Sequence, residues 1–170
     1  GQPVSHAGDL DGDGFADLMS PADRLSLLAT SGQTGGVLWH AGDNTFDPWT
    51  PIAVGDIDGD ARVDIVGIGL YGYLLALEAD GTPKWESTEQ LGFNYSSNCG
   101  TCFTRPTLSI ADLFGDGTPE IVTLSGAVSG ADGSLVARYD TDLAYDNSDH
   151  REHTVADLDR VAQSIARLII

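Results

Sequence analysis

Residues 9–17 of this chain read Asp-Leu-Asp-Gly-Asp-Gly-Phe-Ala-Asp, and the same acidic pattern returns twice further along the chain. Residues 56–64 read Asp-Ile-Asp-Gly-Asp-Ala-Arg-Val-Asp, and residues 112–120 read Asp-Leu-Phe-Gly-Asp-Gly-Thr-Pro-Glu. Carboxylates at alternate positions, with a glycine that lets the backbone bend, form an oxygen cage suited to a hard cation such as Ca²⁺. These segments, loop one, loop two and loop three, therefore predict metal sites.

The loops recur at a period of about fifty residues. Their first carboxylates are 47 residues apart from Asp9 to Asp56 and 56 residues apart from Asp56 to Asp112, and a fourth start, Asp157, follows after 45 residues. Periods of about 40 to 50 residues with short strands are typical of β-propeller blades. Short β-prone runs flank each of the three loops, so we expect every loop to join two strands.

Each unit also carries a hairpin signal after its loop. Asp80-Gly81 and Asp132-Gly133 stand between alternating apolar runs, which is the strongest short signal for a β-hairpin. Residues 32–36 form a longer glycine-rich turn in the first unit. An aromatic residue follows each turn, and we expect the three rings to pack between adjacent units; they are Trp39, Trp85 and Tyr139.

Composition places the chain among acidic globular domains. Of its 170 residues, 41% are hydrophobic and 20% are charged, which is enough apolar material for a core. The 26 acidic side chains exceed the 8 basic ones and give a formal net charge of -18. Nucleic acids and anionic membranes need a basic surface, so neither is expected as a partner. Neither a secretory leader nor an apolar run of about 18 residues is visible, so we expect a mature form or an excised piece without membrane insertion.

Few residues outside the loops suggest chemistry. Cys99 and Cys102 favour a local disulfide in an oxidising compartment, because a zinc site would need two further ligands nearby and a thioredoxin-type motif would need a βαβ unit. His150 and His153 fit a solvated acidic connector better than a ligand pair. The sequence lacks the motifs of serine hydrolases, zinc metalloproteases and P-loop enzymes, so an enzyme is not indicated.

The surroundings of the loops separate the families that use this acidic pattern. An EF-hand needs a bidentate Glu at position twelve and flanking helices, whereas position twelve here is Ser20, Gly67 or Thr123 and the flanks are β-prone. The loops instead resemble the integrin-α-like propeller repeat, the FG-GAP or VCBS class, in its bacterial-type variant. The resemblance covers nearly all of residues 1–159 and implies an all-β fold of about three four-stranded β-propeller blades plus a partial one.

The resemblance also implies which residues bind Ca²⁺, through side chains at loop positions one, three, five and nine and the backbone carbonyl at position seven. Loop three departs from this pattern because Phe114 stands at position three and donates no oxygen, so we expect it to bind most weakly; in loop two, Ala61 replaces the usual glycine. The implied ligands are Asp9, Asp11, Asp13, Phe15 and Asp17 in loop one, Asp56, Asp58, Asp60, Arg62 and Asp64 in loop two, and Asp112, Asp116, Thr118 and Glu120 in loop three.

The repeats also predict the division of the chain. The segment after Asp159 lacks the glycine and the ninth-position acid, so no metal is assigned there. Three and a fraction blades leave exposed strand edges, so we expect a fragment of a larger propeller, or one that another copy or subunit completes. The blades cover approximately residues 1–50, 51–106 and 107–153, another begins at 154, and residues 160–170 are a diverged or truncated C-terminal segment.

These features predict a calcium-binding module, secreted or on the cell surface, that works in adhesion or recognition and binds a protein or glycan through loops on one face. The alternative is the propeller part of a secreted polysaccharide-active enzyme such as a rhamnogalacturonan lyase. A third class is a purely structural spacer in a large surface protein. Release of unsaturated sugars from pectic substrates would favour the lyase, and ligand binding without turnover would favour adhesion.

Overall fold

The structure is a computed structural model that describes residues 5–22, 26–42, 46, 52–69, 71–91, 108–123 and 125–138. All regular structure in these ranges is β-strand, and the strands form three four-stranded antiparallel sheets. No described segment is a helix long and apolar enough to cross a membrane. The all-β prediction is confirmed, while the propeller arrangement and the blade boundaries stay predictions.

Each sheet is a meander in which every strand pairs with the next one along the chain. Sheet one consists of β1 (Ser5–Gly8), β2 (Asp17–Ala22), β3 (Ser26–Thr30) and β4 (Val37–His40). Sheet two consists of β5 (Ala53–Gly55), β6 (Asp64–Ile68), β7 (Tyr73–Leu77) and β8 (Pro83–Gln90). Sheet three consists of β9 (Ser109–Ala111), β10 (Glu120–Val122), β11 (Gly126–Ser129) and β12 (Leu135–Arg138).

The acidic loops connect the first two strands of each sheet. In all three, the ninth loop residue begins the second strand and pairs with the residue just before the loop, so each loop is closed by one antiparallel pair. The pairs are Gly8 with Asp17, Gly55 with Asp64 and Ala111 with Glu120. The prediction that each loop joins two strands is confirmed.

Two hydrophobic clusters fill the spaces between consecutive sheets. Side chains on a strand alternate between its two faces. In β6 of sheet two, Ile65 therefore belongs to the cluster shared with sheet one, and Val66 belongs to the cluster shared with sheet three. Burying one such side chain contributes about 1.5 to 3 kcal/mol. The sheets pack face to face, with β1 beside β5 and β5 beside β9.

Tryptophans join consecutive sheets at their fourth strands. Trp39 of β4 donates its Nε1–H to the carbonyl of Ala79, with an N–O distance of 2.8 Å. Trp85 of β8 donates to the carbonyl of Gly130 in the same way, at 2.7 Å. Both acceptors lie in the hairpin between the third and fourth strands of the following sheet. The prediction that these two rings pack between adjacent units is confirmed.

Sheet three has a different residue at the tryptophan position. The register places Ala29 opposite Trp39 and Ala76 opposite Trp85, and the corresponding Ala127 lies opposite Ala137. The register therefore gives this position to Ala137 instead of Tyr139, which lies outside the described residues. Other predictions also fall outside them: the Cys99 and Cys102 disulfide, His150 and His153, the blade start at residue 154, and residues 160–170.

Candidate metal centre

The first aspartate of each loop folds the chain around its own carboxylate. Asp9 accepts hydrogen bonds from the backbone N–H groups of Gly12, at 2.8 Å, and Gly14, at 2.9 Å. Asp56 and Asp112 accept from the residues at the same two positions of their own loops. Aspartate suits this role because its short side chain reaches backbone groups a few residues along the chain. Hydrogen bonds within each loop therefore support its conformation.

The fifth-position aspartate holds the seventh residue, whose carbonyl the resemblance assigns to the ion. In every loop, one oxygen of the fifth carboxylate accepts a hydrogen bond from the backbone N–H of the seventh residue. The three bonds join Asp13 and Phe15 at 2.8 Å, Asp60 and Arg62 at 2.7 Å, and Asp116 and Thr118 at 2.9 Å. All three loops thus share one backbone path around their acids.

The ninth-position carboxylate is buried beneath each loop. Asp17 and Asp64 are 0% exposed and Glu120 is 3% exposed. Each accepts a hydrogen bond from the backbone N–H of the second loop residue, at 2.6, 3.2 and 2.8 Å respectively. Burial disfavours the charged form of a carboxyl group and raises the pKa of both Asp64 and Glu120. The nearby carboxylates of Asp116 and Asp112 raise the pKa of Glu120 further.

Carboxylates converge in loops one and two. One oxygen from each member of the group lies within 4.8 Å of the others, so a single cation could contact them together. Bringing like charges this close is unfavourable unless a positive charge lies among them. The groups are Asp9, Asp11 and Asp17 in loop one, and Asp56, Asp58, Asp60 and Asp64 in loop two. Asp13, a predicted ligand, is not part of the loop-one group.

Loop one holds a buried carboxylate with no cationic partner among the described residues. Among the described residues, the two oxygens of Asp17 accept hydrogen bonds from backbone N–H groups, those of Leu10 at 2.6 Å and Gly32 at 2.9 Å. None of the ion pairs between described residues involves a loop-one acid. A buried carboxylate is costly unless a cation balances it. A metal ion bound by loop one would supply this balance.

Loop two already contains a cation, which the sequence analysis missed. The Nζ atom of Lys84, on β8, lies 2.7 Å from Asp58 Oδ2, 2.9 Å from Glu78 Oε1 and 3.3 Å from Asp64 Oδ1. Its side chain is only 9% exposed. Lys84 is the only lysine of the sequence and stands next to Trp85. Its uniqueness is the one sequence signal that could have pointed to a role for this residue.

The ion pairs of Lys84 shift the pKa of its own ammonium and that of Asp58. Burial by itself would lower the pKa of the Lys84 ammonium, but the hydrogen bonds to Asp58, Glu78 and Asp64 outweigh burial and raise it. The hydrogen bond from Lys84 is also the main reason that the pKa of Asp58 is lowered. Lys84 therefore stays charged among these acids.

Loop three is the weakest candidate of the three. Its acids do not form a converging group among the described residues, and Phe114 at its third position is 46% exposed. The backbone N–H groups around Asp112, that of Gly117 first, lower the pKa of its carboxyl. The loop thus keeps the turn around its first aspartate while lacking a third-position oxygen.

The loops lie next to one another. A Cβ atom built on Gly59 of loop two would be 3.9 Å from the carbonyl oxygen of Gly117 in loop three. One built on Gly8, just before loop one, would be 3.5 Å from the side chain of Val63 in loop two. The stacking of the sheets therefore brings the acidic loops into one row along a common edge.

Comparison with known proteins shows a related fold. No family model matches the chain, and no curated protein matches it. Among solved structures, the chain is similar to the V. cholerae biofilm matrix protein Bap1, with a TM-score of 0.51 and 23% identical residues. The match covers 80% of this chain and 24% of that chain, so this chain spans about a quarter of that protein's length. At this identity the likeness shows the fold alone.

Proposed function

We propose that the chain is part of a calcium-binding β-propeller, secreted or on the cell surface, that works in adhesion or recognition. The observation that carries the proposal is the buried Asp17 carboxylate, which lies beneath converging loop acids and has no ion-pair partner among the described residues. The proposed ligands in all three loops are those that the repeat pattern implies.

Calcium is the cation that fits these loops best. The converging groups of possible ligands in loops one and two consist of carboxylates, and hard oxygen ligands favour Ca²⁺, Mg²⁺ or Mn²⁺ over Zn²⁺ or Cu²⁺. Mg²⁺ demands near-ideal octahedral geometry, whereas Ca²⁺ accepts the irregular cage of a loop that combines carboxylates and a carbonyl. Extracellular calcium modules bind with dissociation constants of about 0.1 to 1 mM, which suits a protein outside the cell.

The propeller part of the proposal is supported by the way in which the sheets repeat. Three successive meanders pack face to face, neighbouring first strands adjoin, and tryptophans link the fourth strands to the next sheet. These are features expected of consecutive blades around an axis. Further blades, from a longer chain, another copy or another subunit, would complete the ring and cover the exposed faces.

The proposed setting and partner follow from charge and from the structural likeness. The solved protein of similar fold is described as a biofilm matrix protein, which is an extracellular setting. A net charge of -18 disfavours binding to nucleic acid or to anionic membranes. We therefore propose a protein or glycan partner that binds to loops on one face.

Calcium binding is tested by titrating Ca²⁺ into chelator-treated protein while recording heat and melting temperature. A site with a dissociation constant of 0.1 mM stabilises the fold by about 1.4 kcal/mol at 1 mM ion. Asp11→Asn removes a charge from the loop-one group and should abolish the loop-one response. Asp132→Asn is the matched control, because this exposed aspartate caps Ser134 in a hairpin. Neither heat nor stabilisation in the unaltered protein would refute the proposal.

The adhesion role has its own test. The protein is screened against glycan arrays and candidate surface proteins with Ca²⁺ and with chelator, and pectic substrates are assayed in parallel for unsaturated products. Calcium-dependent binding without turnover is the expected result. Release of unsaturated sugars would contradict it and favour the lyase.

A further inference from the structure

The three sheets differ at one position of the fourth strand that faces the acidic loop in sheet two. Lys84 lies between Pro83, opposite Leu77, and Trp85, opposite Ala76. The corresponding unpaired position of the fourth strand is occupied by Leu38 in sheet one and by Val136 in sheet three. Two apolar residues thus correspond to the one lysine of the chain.

A second difference accompanies the lysine. Glu78 directly follows β7 and accepts a hydrogen bond from Lys84. Its counterparts at the starts of the other two hairpins are Ser31 and Ser129, which are uncharged. Sheet two therefore combines an additional cation, Lys84, with an additional anion, Glu78. The Glu78 carboxylate helps to hold the Lys84 ammonium against loop two.

We infer that the Lys84 ammonium takes the place of the divalent ion in loop two, so that this loop is held by an internal cation and binds Ca²⁺ only by displacing the lysine. Loop one, which has Leu38 in this place, takes its cation from solution. This inference rests on the calcium sites proposed above, because it assigns different occupants to two loops of the same pattern.

The hydrogen-bonding capacity of the ammonium fits this role. A lysine ammonium has three N–H donors and no acceptor, and here it lies within ion-pair distance of three carboxylates. Two of these, Asp58 and Asp64, belong to the converging group of loop two. One oxygen of each of these two carboxylates is therefore already bonded to Nζ. An ammonium and a divalent cation that share the same carboxylates would lie close together and repel each other, so one excludes the other.

Mutual exclusion predicts a lower calcium affinity for loop two. Apparent affinity falls in proportion to the fraction of molecules in which the binding-competent state is present. If the lysine leaves the cage in one molecule of ten or fewer, loop two binds at least about tenfold more weakly than the same loop without lysine. Loop two then stays ordered at calcium concentrations at which loop one depends on its ion.

The single lysine gives a direct readout. Protein labelled with ¹³C at lysine Cε contains one labelled residue, Lys84, so its NMR spectrum reports on loop two alone. We expect this signal to stay unchanged while added Ca²⁺ saturates the loop-one heat response, and to move only at about tenfold higher concentration. Movement of the signal with the loop-one midpoint would overturn the inference. In chelator, Asp58→Asn should shift the signal towards that of free lysine, and an unchanged signal would also overturn it.

Variants separate this inference from the calcium proposal itself. In a background of Asp9→Asn and Asp112→Asn, which disables loops one and three, Lys84→Met should gain a calcium site at least about tenfold tighter than that of the background alone. Equal binding with and without the lysine would overturn the inference and leave the calcium proposal intact.

The reciprocal variant Leu38→Lys, in otherwise unaltered protein, should abolish the calcium response of loop one. The labelled variant then shows two lysine signals, and the second should differ from free lysine if its ammonium enters the loop. If the unaltered protein gives no calcium response at all, the calcium proposal fails, whereas the chelator measurement on Asp58→Asn still tests the position of Lys84.

Discussion

Two equivalent glycines should respond very differently to the same substitution. Gly35 and Gly133 occupy the same turn position in the hairpins of sheets one and three, where each donates its N–H to the carbonyl of a serine four residues earlier. Both have φ of 71°. A Cβ added at Gly35 meets no described atom within 4 Å, whereas one at Gly133 would lie 2.6 Å from Cε3 of Trp85. Alanine therefore strains both backbones but displaces the indole only at Gly133.

The difference in stability between the two variants isolates the tryptophan joint, which is the contact of Trp85 in sheet two with Gly130 and Gly133 in sheet three. Alanine in the left-handed region costs about 1 to 2 kcal/mol at either position. At Gly133, forcing the ring aside adds about 1 to 3 kcal/mol of overpacking. Loss of the hydrogen bond from Trp85 to Gly130 adds about 1 kcal/mol. Gly133→Ala should therefore destabilise the protein by about 2 to 4 kcal/mol more than Gly35→Ala.

The measurements are urea denaturation and thermal unfolding of both variants, each monitored by tryptophan fluorescence and by circular dichroism. At about 2 to 4 °C per kcal/mol, the melting temperature of Gly133→Ala should lie about 4 to 16 °C below that of Gly35→Ala. Replacing Trp85 by Leu should remove most of this difference, because the smaller side chain leaves room for the methyl group. Equal losses in the two glycine variants would refute the account of the tryptophan joint.

Three further substitutions test the loops and the joint. Ala61 has φ of 66° where loops one and three have glycine, so its backbone is strained. Ala61→Gly should therefore raise the free energy of unfolding, measured by urea denaturation, by about 0.5 to 1 kcal/mol. A lower free energy of unfolding would contradict this strain. Burial raises the pKa of Glu120 above 4.5, so in chelator its contribution to stability is present below pH 4.5 and is lost as pH rises through the folded-state pKa. Glu120→Gln should make this loss of stability with rising pH shallower. An unchanged dependence of stability on pH would contradict the prediction. Trp85→Phe keeps most of the ring but removes the hydrogen bond to Gly130, so it should cost about 1 kcal/mol, whereas no change would show that bond to be unimportant.

Local interactions made the loops predictable. The turns depend on hydrogen bonds that Asp9, Asp56 and Asp112 accept from backbone N–H groups within five residues, so a pattern of nine residues contains nearly all the information that they need. The same holds for the hairpin signals at Gly81 and Gly133. Type and approximate position of these elements could be predicted because the interacting groups are neighbours in the chain.

The residue at the tryptophan position of sheet three was harder to predict. The presence of a ring suggested Tyr139 as the counterpart of Trp39 and Trp85, but the register places Ala137 opposite Ala127. Ala137 stands four residues after Gly133, just as Trp39 follows Gly35 and Trp85 follows Gly81, and the same shift in register occurs in all three sheets. The type of side chain was a misleading guide because strand pairing is set by backbone hydrogen bonds.

By itself, the sequence determined that this is an all-β repeat with acidic loops between paired strands, since alternation, turn chemistry and capping aspartates all act over a few residues. Only the tertiary structure decided that loop two holds an ammonium, while no described residue places a cation in loop one. Lys84 is 26 residues from Asp58 in the chain, and its Nζ reaches that carboxylate at 2.7 Å only because β6, β7 and β8 fold back on one another. Charge compensation depends on distance in space, so loops with nearly the same sequence can hold different cations.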